Sequence, residues 1–265
     1  YSCYWHDVWK VFLVIYVDDF KMSGPKGILP HVWNELKKGI RMDEPTPLGK
    51  YLGCEHVVSV KWHEGLRAPV TVIEYNMSAF LSSCVERYLE LAQIPVESLR
   101  KVATPFGVES REQSPMRDPC QCEECKENRS GNVQCDPLPD ASWDEIVGEL
   151  QPIASRVLMK VLYAARMARY DLLKCVNSLA SCITKWNKRC DFRLHRLMCY
   201  INSTNHLRLT GWVSNNPMNN ISFDLFVDAD HSGCQKTMRS TSGIFLLISG
   251  CNVSWPITGV SKKQR

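Results

Sequence analysis

The sequence predicts an α+β fold, in which strands and helices occupy separate stretches of the chain. An apolar, β-branched run covers residues 11–17, and residues 75–92 and 154–183 carry apolar side chains at helical spacing. Short alternating runs return at 223–255. With 265 residues, 45% of them hydrophobic and 23% charged, the chain is long enough for one large or two ordinary globular domains.

The first apolar run predicts a buried strand that ends in two adjacent carboxylates, Asp18 and Asp19. A second short strand, 20–23, follows at once, so the pair is expected at the tip of a hairpin. Adjacent carboxylates repel each other unless a cation lies between them, which makes a divalent metal their natural partner. The alternative is a solvated turn, because Asp is a common turn residue.

The next elements are predicted from spacing and turn residues. A short helix is expected over 30–42, and a strand pair over 48–62 with Leu52 and Gly53 between the strands. An amphipathic helix follows over 75–92, with Asn76 as its N-cap.

Residues 107–139 are rich in Pro, Ser and charge, which predicts a long exposed loop or insertion. Its cysteines could bind zinc, since Cys122 and Cys125 have the spacing of ligands, although no matching second pair follows. The hypothesis is a dispensable insertion with a possible zinc site at Cys120, Cys122, Cys125 and Cys135.

Two helices are expected over 154–183, divided near Tyr170, and a third over 190–202. Between residues 156 and 208 the net charge is +9, against −5 for the rest of the chain. Such a concentration favours binding to a phosphate backbone, and the alternative is an ordinary solvated basic face. On the third helix the pattern predicts that Arg189, Arg193 and Arg196 point outward.

Strands over 223–228, 244–248 and 253–255 predict a three-stranded antiparallel meander. The thirteen cysteines, without a secretory signal before them, favour a reduced, intracellular setting. No stretch has the apolar length of a membrane span, and residues 1–7 resemble neither a signal nor a transit peptide.

The tetrad Tyr16-Val17-Asp18-Asp19 after an apolar strand resembles the Tyr-x-Asp-Asp signature of reverse transcriptases, in the form found in copia-type LTR retrotransposons. The resemblance implies that Asp18 is a direct Mg²⁺ ligand, that Asp19 supports it, and that Tyr16 packs or hydrogen-bonds beneath the hairpin. Leu52-Gly53 is similar to the primer grip of these enzymes. Two Mg²⁺ ions would serve the polymerase site of the intact enzyme.

Further motifs resemble the same family. Residues 169–180 are similar to its Arg-Pro-Asp-Ile and Val-Asn-Ser-Leu-Ala pattern, with Tyr170 in place of Pro, and 194–200 match the helix that follows. Residues 226–233, 239–243 and 261–264 resemble the opening of its RNase H domain, in which Asp228 would be the first metal ligand. The basic helices would then contact the backbone of a duplex through Lys160, Arg166, Arg189, Arg193 and Arg196.

The resemblance implies a truncated reverse-transcriptase palm with a helical thumb and connection, followed by the opening meander of an RNase H domain. The expected segments are palm (1–66), thumb start (67–106), Cys-containing insertion (107–150), basic thumb and connection (151–218) and RNase H (219–265). The expected partners are an RNA/DNA primer-template, dNTPs and the rest of a Pol polyprotein. The expected location is a cytoplasmic virus-like particle or the nucleus, with no membrane.

Both active sites are expected to be incomplete. The family's third polymerase carboxylate lies upstream of the hairpin, and its nuclease needs further acids after Asp228, beyond Asp230. The chain alone is therefore predicted neither to polymerise nor to cleave. The alternative is a non-catalytic nucleic-acid-binding remnant or a domesticated retroelement protein.

Overall fold

The computed structural model describes residues 2–106, 141–216, 220–230 and 239–264, and these residues form a mixed α+β structure. Within the described ranges there are five α-helices and two sheets, in which the strand pairs are antiparallel. The α+β prediction is confirmed at this level.

The smaller sheet has the strand order β1-β2-β3 and contains the carboxylate hairpin. Its strands are β1 (Cys3–His6), β2 (Val11–Tyr16) and β3 (Asp19–Ser23). The predicted burial of β2 is wrong, because only Val11 is buried and the rest of the strand is half-buried or exposed. Apolar β-branched residues favour the extended backbone of a strand even where their side chains are not buried. This run therefore predicted the strand correctly but not the burial of its side chains.

The larger sheet has seven strands in the order β4-β5-β6-β7-β10-β9-β8. Their bounds are β4 (Lys50–Tyr51), β5 (Cys54–His63), β6 (Ala68–Asn76), β7 (Leu209–Ser214), β8 (Ser222–Ala229), β9 (Thr241–Gly250) and β10 (Val253–Lys263). The predicted meander is present as β8-β9-β10. It joins the rest of the sheet through two residue pairs between β10 and β7, which sequence periodicity did not predict.

The helices are α1 (Leu29–Gly39), α2 (Ser78–Ala92), α3 (Gln151–Met167), α4 (Leu173–Ala180) and α5 (Lys188–Ser203). Helix α2 begins three residues later than predicted because Tyr75 and Asn76 complete β6. The Asn76 side chain still accepts a hydrogen bond from the Ser78 amide at 3.0 Å, although Met77 occupies the cap position. The predicted break near Tyr170 is confirmed by a single 3₁₀ turn, Tyr170–Leu172, between α3 and α4.

The core lies where α2, α3, α4 and α5 pack together. The apolar stripes predicted for these helices supply its fully buried side chains, including Leu81, Leu158, Val176 and Leu194. Burial of such side chains is the main favourable contribution to folding. Within the described ranges, no helix combines the length and the apolar character required to cross a bilayer.

The eight described cysteines are free thiols, and several of them belong to this core. Cys84 and Cys175 are examples, and burial raises the pKa of the Cys84 thiol to about 11 and that of the Cys175 thiol to about 12. Thiols with such pKa values stay protonated at neutral pH and behave as small apolar side chains.

Candidate functional site

The Asp18–Asp19 hairpin has a two-residue turn held in a strained conformation. Tyr16 pairs with Asp19, so Val17 and Asp18 form the turn, and Val17 has a φ of +55°. This left-handed conformation is a genuine outlier for a β-branched residue, and Gly is the usual choice where a hairpin turn requires it. Asp18 and Asp19 are both exposed there, at the tip of the hairpin.

Tyr16 is 56% exposed, so its ring is not buried beneath the hairpin. The alternative, a hydrogen bond beneath the hairpin, stays a prediction. Tyr16 is the last residue of β2, and side chains along a strand point alternately to the two faces of its sheet. Most residues of β2 are half-buried or exposed, so this sheet is only partly covered.

The predicted turn at Leu52 and Gly53 joins β4 to β5. Both residues have left-handed backbones, with φ values of +50° and +73°, which is the pattern of a type I′ hairpin turn. Positive φ accounts for the glycine at position 53. The Leu52 carbonyl oxygen accepts a hydrogen bond from the hydroxyl of Tyr163 in α3.

Tyr163 connects this turn with the carboxylate hairpin. Burial raises the pKa of the Tyr163 hydroxyl, and the charges of Tyr16, Cys54 and Asp19 raise it further. The pKa of Tyr51 is also raised, first by burial and then by Asp19. The Tyr163 hydroxyl of α3 thus binds the β4–β5 turn and is also influenced by the charge of Asp19 in the hairpin.

A second connection runs between β3 and β5. The Lys21 ammonium lies 3.3 Å from Nε2 of His56 and 5.2 Å from the centre of the Tyr51 ring. Sequence analysis missed Lys21, His56 and Tyr163. The position of Lys21 between Phe20 and Met22 in a short strand was a signal that could have identified it. Nothing in the neighbouring residues distinguishes Tyr163 from the apolar stripe of its helix.

Asp228 lies in a different sheet from Asp18 and Asp19. It pairs with Gly243 across β8 and β9, and its carboxylate accepts a hydrogen bond from the Ala229 amide at 2.8 Å. Asp228 lines a cavity of about 610 Å³ between α4 and the meander. At the edge of this cavity, Lys174 forms an ion pair with Asp230 at 3.0 Å.

Carboxylate oxygens are the ligands that Mg²⁺ prefers, so the donor type at Asp18 and Asp19 fits this ion. Across the described part of the chain, no group of three or more His, Cys, Asp or Glu side chains could together hold a metal. Cys120, Cys122, Cys125 and Cys135, the residues of the zinc hypothesis, lie outside the described residues.

The basic residues predicted to contact a duplex differ in their surroundings. Arg166 is exposed, whereas Lys160 donates to the Ser83 carbonyl at 3.0 Å and Arg189 forms an ion pair with Asp144 at 3.1 Å. Arg193 is half-buried.

The predicted outward orientation of Arg196 is wrong, because its side chain is buried and donates to the Thr104 hydroxyl at 3.0 Å. Helical spacing placed Arg196 beside the apolar stripe of α5, and the segment around Thr104 covers that side of the helix. An arginine buries readily where its guanidinium finds hydrogen-bond acceptors.

Comparison with known proteins identified no relative: no family model matches the chain, and neither the curated proteins nor the solved structures include a significant match.

Proposed function

We propose that this chain is part of an RNA-directed DNA polymerase related to copia-type reverse transcriptases, with the beginning of an RNase H domain at its C-terminal end. The observation that carries the proposal is the strained hairpin turn, which presents Asp18 and Asp19 to solvent. Lys21 of the same hairpin lies over the ring of Tyr51, the residue before the turn at Leu52 and Gly53. Strained residues persist where the surrounding structure imposes them, and they cluster at functional sites.

In this proposal Asp18 and Asp19 hold Mg²⁺, which would help to activate the primer hydroxyl and neutralise the triphosphate. The tight turn keeps the two carboxylates adjacent. The half-buried turn at Leu52 and Gly53 would lie along the primer, and Tyr163 would hold that turn in place through the Leu52 carbonyl. Asp228 would contribute to a separate nuclease site, in keeping with its position in the other sheet.

Divalent cation binding by the full 265-residue chain tests the polymerase site directly. Mn²⁺ should broaden the amide NMR signals of Asp18 and Asp19, and Asp18→Asn should abolish this effect. Asp43→Asn is the matched control, because Asp43 is an exposed carboxylate in the segment after α1. Equal broadening in wild type and Asp18→Asn would contradict the assignment.

Primer extension gives a second test. The chain alone is expected to show none, because the resemblance places a third polymerase carboxylate outside it. Mg²⁺-dependent extension by the purified chain would therefore overturn this part of the proposal.

Non-catalytic binding to nucleic acid is the second candidate, and exposed basic residues on the helices favour it. Arg156 and Arg166 on α3 and Lys188 on α5 are exposed. If a labelled RNA–DNA duplex binds with strong salt dependence while Asp18→Asn changes neither duplex nor Mn²⁺ binding, the second candidate replaces the first.

A further inference from the structure

Lys21 forms a side-chain bridge between the two sheets. It lies two positions after Asp19 in β3, so both side chains are on the same face of the strand. Its ammonium group is 3.3 Å from Nε2 of His56, which belongs to β5 of the larger sheet. The bridge thus starts from the strand that carries the carboxylates and ends next to the turn at Leu52 and Gly53.

The partners of His56 determine its protonation state. His56 is buried, and its Nδ1 lies 3.0 Å from the Gly49 carbonyl oxygen. A carbonyl oxygen can only accept, so Nδ1 carries the hydrogen and donates it. Nε2 is then the acceptor for the Lys21 ammonium, and the bridge requires a neutral imidazole.

The surroundings favour this neutral form. Burial lowers the pKa of His56, and the charge of Lys21 lowers it further. Three further ionisable side chains face the pair: the Tyr51 ring lies under the Lys21 ammonium, the Tyr75 ring packs edge-on against the His56 ring, and the Cys54 thiol acts on the charge of Lys21. Protonation of His56 at Nε2 would place two cations within hydrogen-bonding distance and break the bridge.

We propose that Lys21 is a positioning residue, which holds the Asp18–Asp19 hairpin beside the Leu52–Gly53 turn by donating a hydrogen bond to neutral His56. The consequence for catalysis rests on the proposed polymerase function, whereas the bridge itself does not. Lys21 acts through the backbone of β3. Nucleotidyl transfer requires the carboxylates and the primer end at fixed separation, so a loosened hairpin would lose catalytic geometry.

NMR of the full chain tests the bridge without any activity. At neutral pH, Nε2 of His56 should give the signal of an unprotonated nitrogen. Acidification should protonate it, and the amide signals of Asp18 and Asp19 should broaden by conformational exchange with the same midpoint. A His56 protonated at Nε2 at neutral pH, or a hairpin unaffected by its protonation, would overturn the proposal.

Two variants distinguish the hydrogen bond between Lys21 and His56 from the effect of charge on the hairpin. Lys21→Met should broaden the hairpin signals at every pH. His56→Gln should keep them sharp without pH dependence, because the Gln amide can both donate to Gly49 and accept from Lys21. Lys26→Met removes an equivalent charge from an exposed turn and should change nothing. Sharp hairpin signals in Lys21→Met would overturn the proposal, and His56→Gln still tests it if Lys21→Met does not fold.

Mn²⁺ binding links the bridge to the proposed function. Removal of the positive charge of Lys21 would by itself strengthen Mn²⁺ binding at the hairpin. We expect Lys21→Met to bind Mn²⁺ about tenfold more weakly, which would show that the carboxylates are no longer held in place. Unchanged or tighter binding in Lys21→Met would count against the positioning role. If wild-type chain binds no Mn²⁺ at the hairpin while the bridge variants behave as expected, the proposed function fails and the bridge stands.

Discussion

The ring of Tyr170 lies directly against Gly259 of β10, so closely that a Cβ atom at position 259 would be 2.5 Å from Cγ of the ring. Tyr170 belongs to the 3₁₀ turn between α3 and α4, and its ring also lies 6.2 Å from that of Phe245 in β9, measured between centroids. Through this contact the turn between α3 and α4 packs against the β8-β9-β10 meander. The Tyr170 ring fills the space above a glycine.

We expect Gly259→Val to lower the free energy of unfolding by about 1–3 kcal/mol, because the added side chain displaces the Tyr170 ring. Urea unfolding measures this effect. Gly27→Ala is the control, since a Cβ there would contact nothing within 4 Å. Combining Gly259→Val with Tyr170→Ala should cost less than the sum of the two single changes, and strict additivity would refute the contact.

Val17→Gly should raise the free energy of unfolding by about 1 kcal/mol, since glycine adopts a positive φ without the strain that valine carries. The gain is reduced by the greater freedom of glycine in the unfolded chain. Val14→Gly, in the middle of β2, is the matched comparison and should be destabilising. Thermal or urea unfolding of both variants checks the prediction, and a destabilised Val17→Gly would contradict it.

Asp171→Ala should lower the free energy of unfolding by about 3 kcal/mol, because it leaves the guanidinium of Arg169 buried without its anion. Arg169 is 2% exposed in its side chain, and it donates to both carboxylate oxygens of Asp171 at 2.9 and 2.8 Å. The Tyr200 hydroxyl donates to the same carboxylate at 2.9 Å.

Asp7→Ala is the control for this change, since it removes an exposed ion pair with Lys10 and should change the free energy of unfolding by less than about 1 kcal/mol. Urea unfolding measures both variants. An equal decrease in the free energy of unfolding would show that burial of Arg169 does not strengthen its ion pair with Asp171.

Acid should destabilise the chain partly through His195. The Ser98 carbonyl oxygen lies 3.1 Å from Nε2 and can only accept, so Nε2 donates and Nδ1 accepts from the Tyr88 hydroxyl at 3.0 Å. Burial lowers the pKa of His195 from its ordinary value of 6.5. As pH falls below 6.5, the unfolded chain binds this proton first, so the free energy of unfolding decreases.

Urea unfolding at pH 7.5 and pH 5.5 measures this loss. His195→Gln should show a smaller decrease between the two pH values than wild type. His206→Gln, which changes an exposed histidine, should behave like wild type. A wild-type dependence on pH in His195→Gln would exclude His195 as its source.

Arg166→Ala and Arg196→Ala should have different effects, although both residues were predicted to contact a duplex. Arg166 is exposed, so its loss should weaken salt-sensitive binding of an RNA–DNA duplex and reduce the slope of binding against salt by about one. Arg196 is buried against Thr104, so its loss should destabilise the fold. Fluorescence anisotropy and urea unfolding distinguish the two, and equal behaviour in both assays would contradict this division.

For the candidate site, sequence reasoning identified the two hairpin turns but not the residues that connect them. Asp18, Asp19, Leu52 and Gly53 were predictable because each lies next to short strands whose pattern is local. The contact of Tyr163 with Leu52 joins positions 111 residues apart, and the bridge from Lys21 to His56 joins positions 35 apart. Nothing in the residues next to either partner specifies such pairs.

The sequence by itself determined the class of structure, the hairpins, the helical stripes and the break at Tyr170, because apolar periodicity and turn residues act over a few positions. Only the tertiary structure decided which faces those elements bury. Arg196 and β2 show the difference, since Arg196 was predicted outward and is buried, whereas β2 was predicted buried and is mostly half-buried or exposed. Burial depends on which segment covers a surface, and that segment lies far away along the chain.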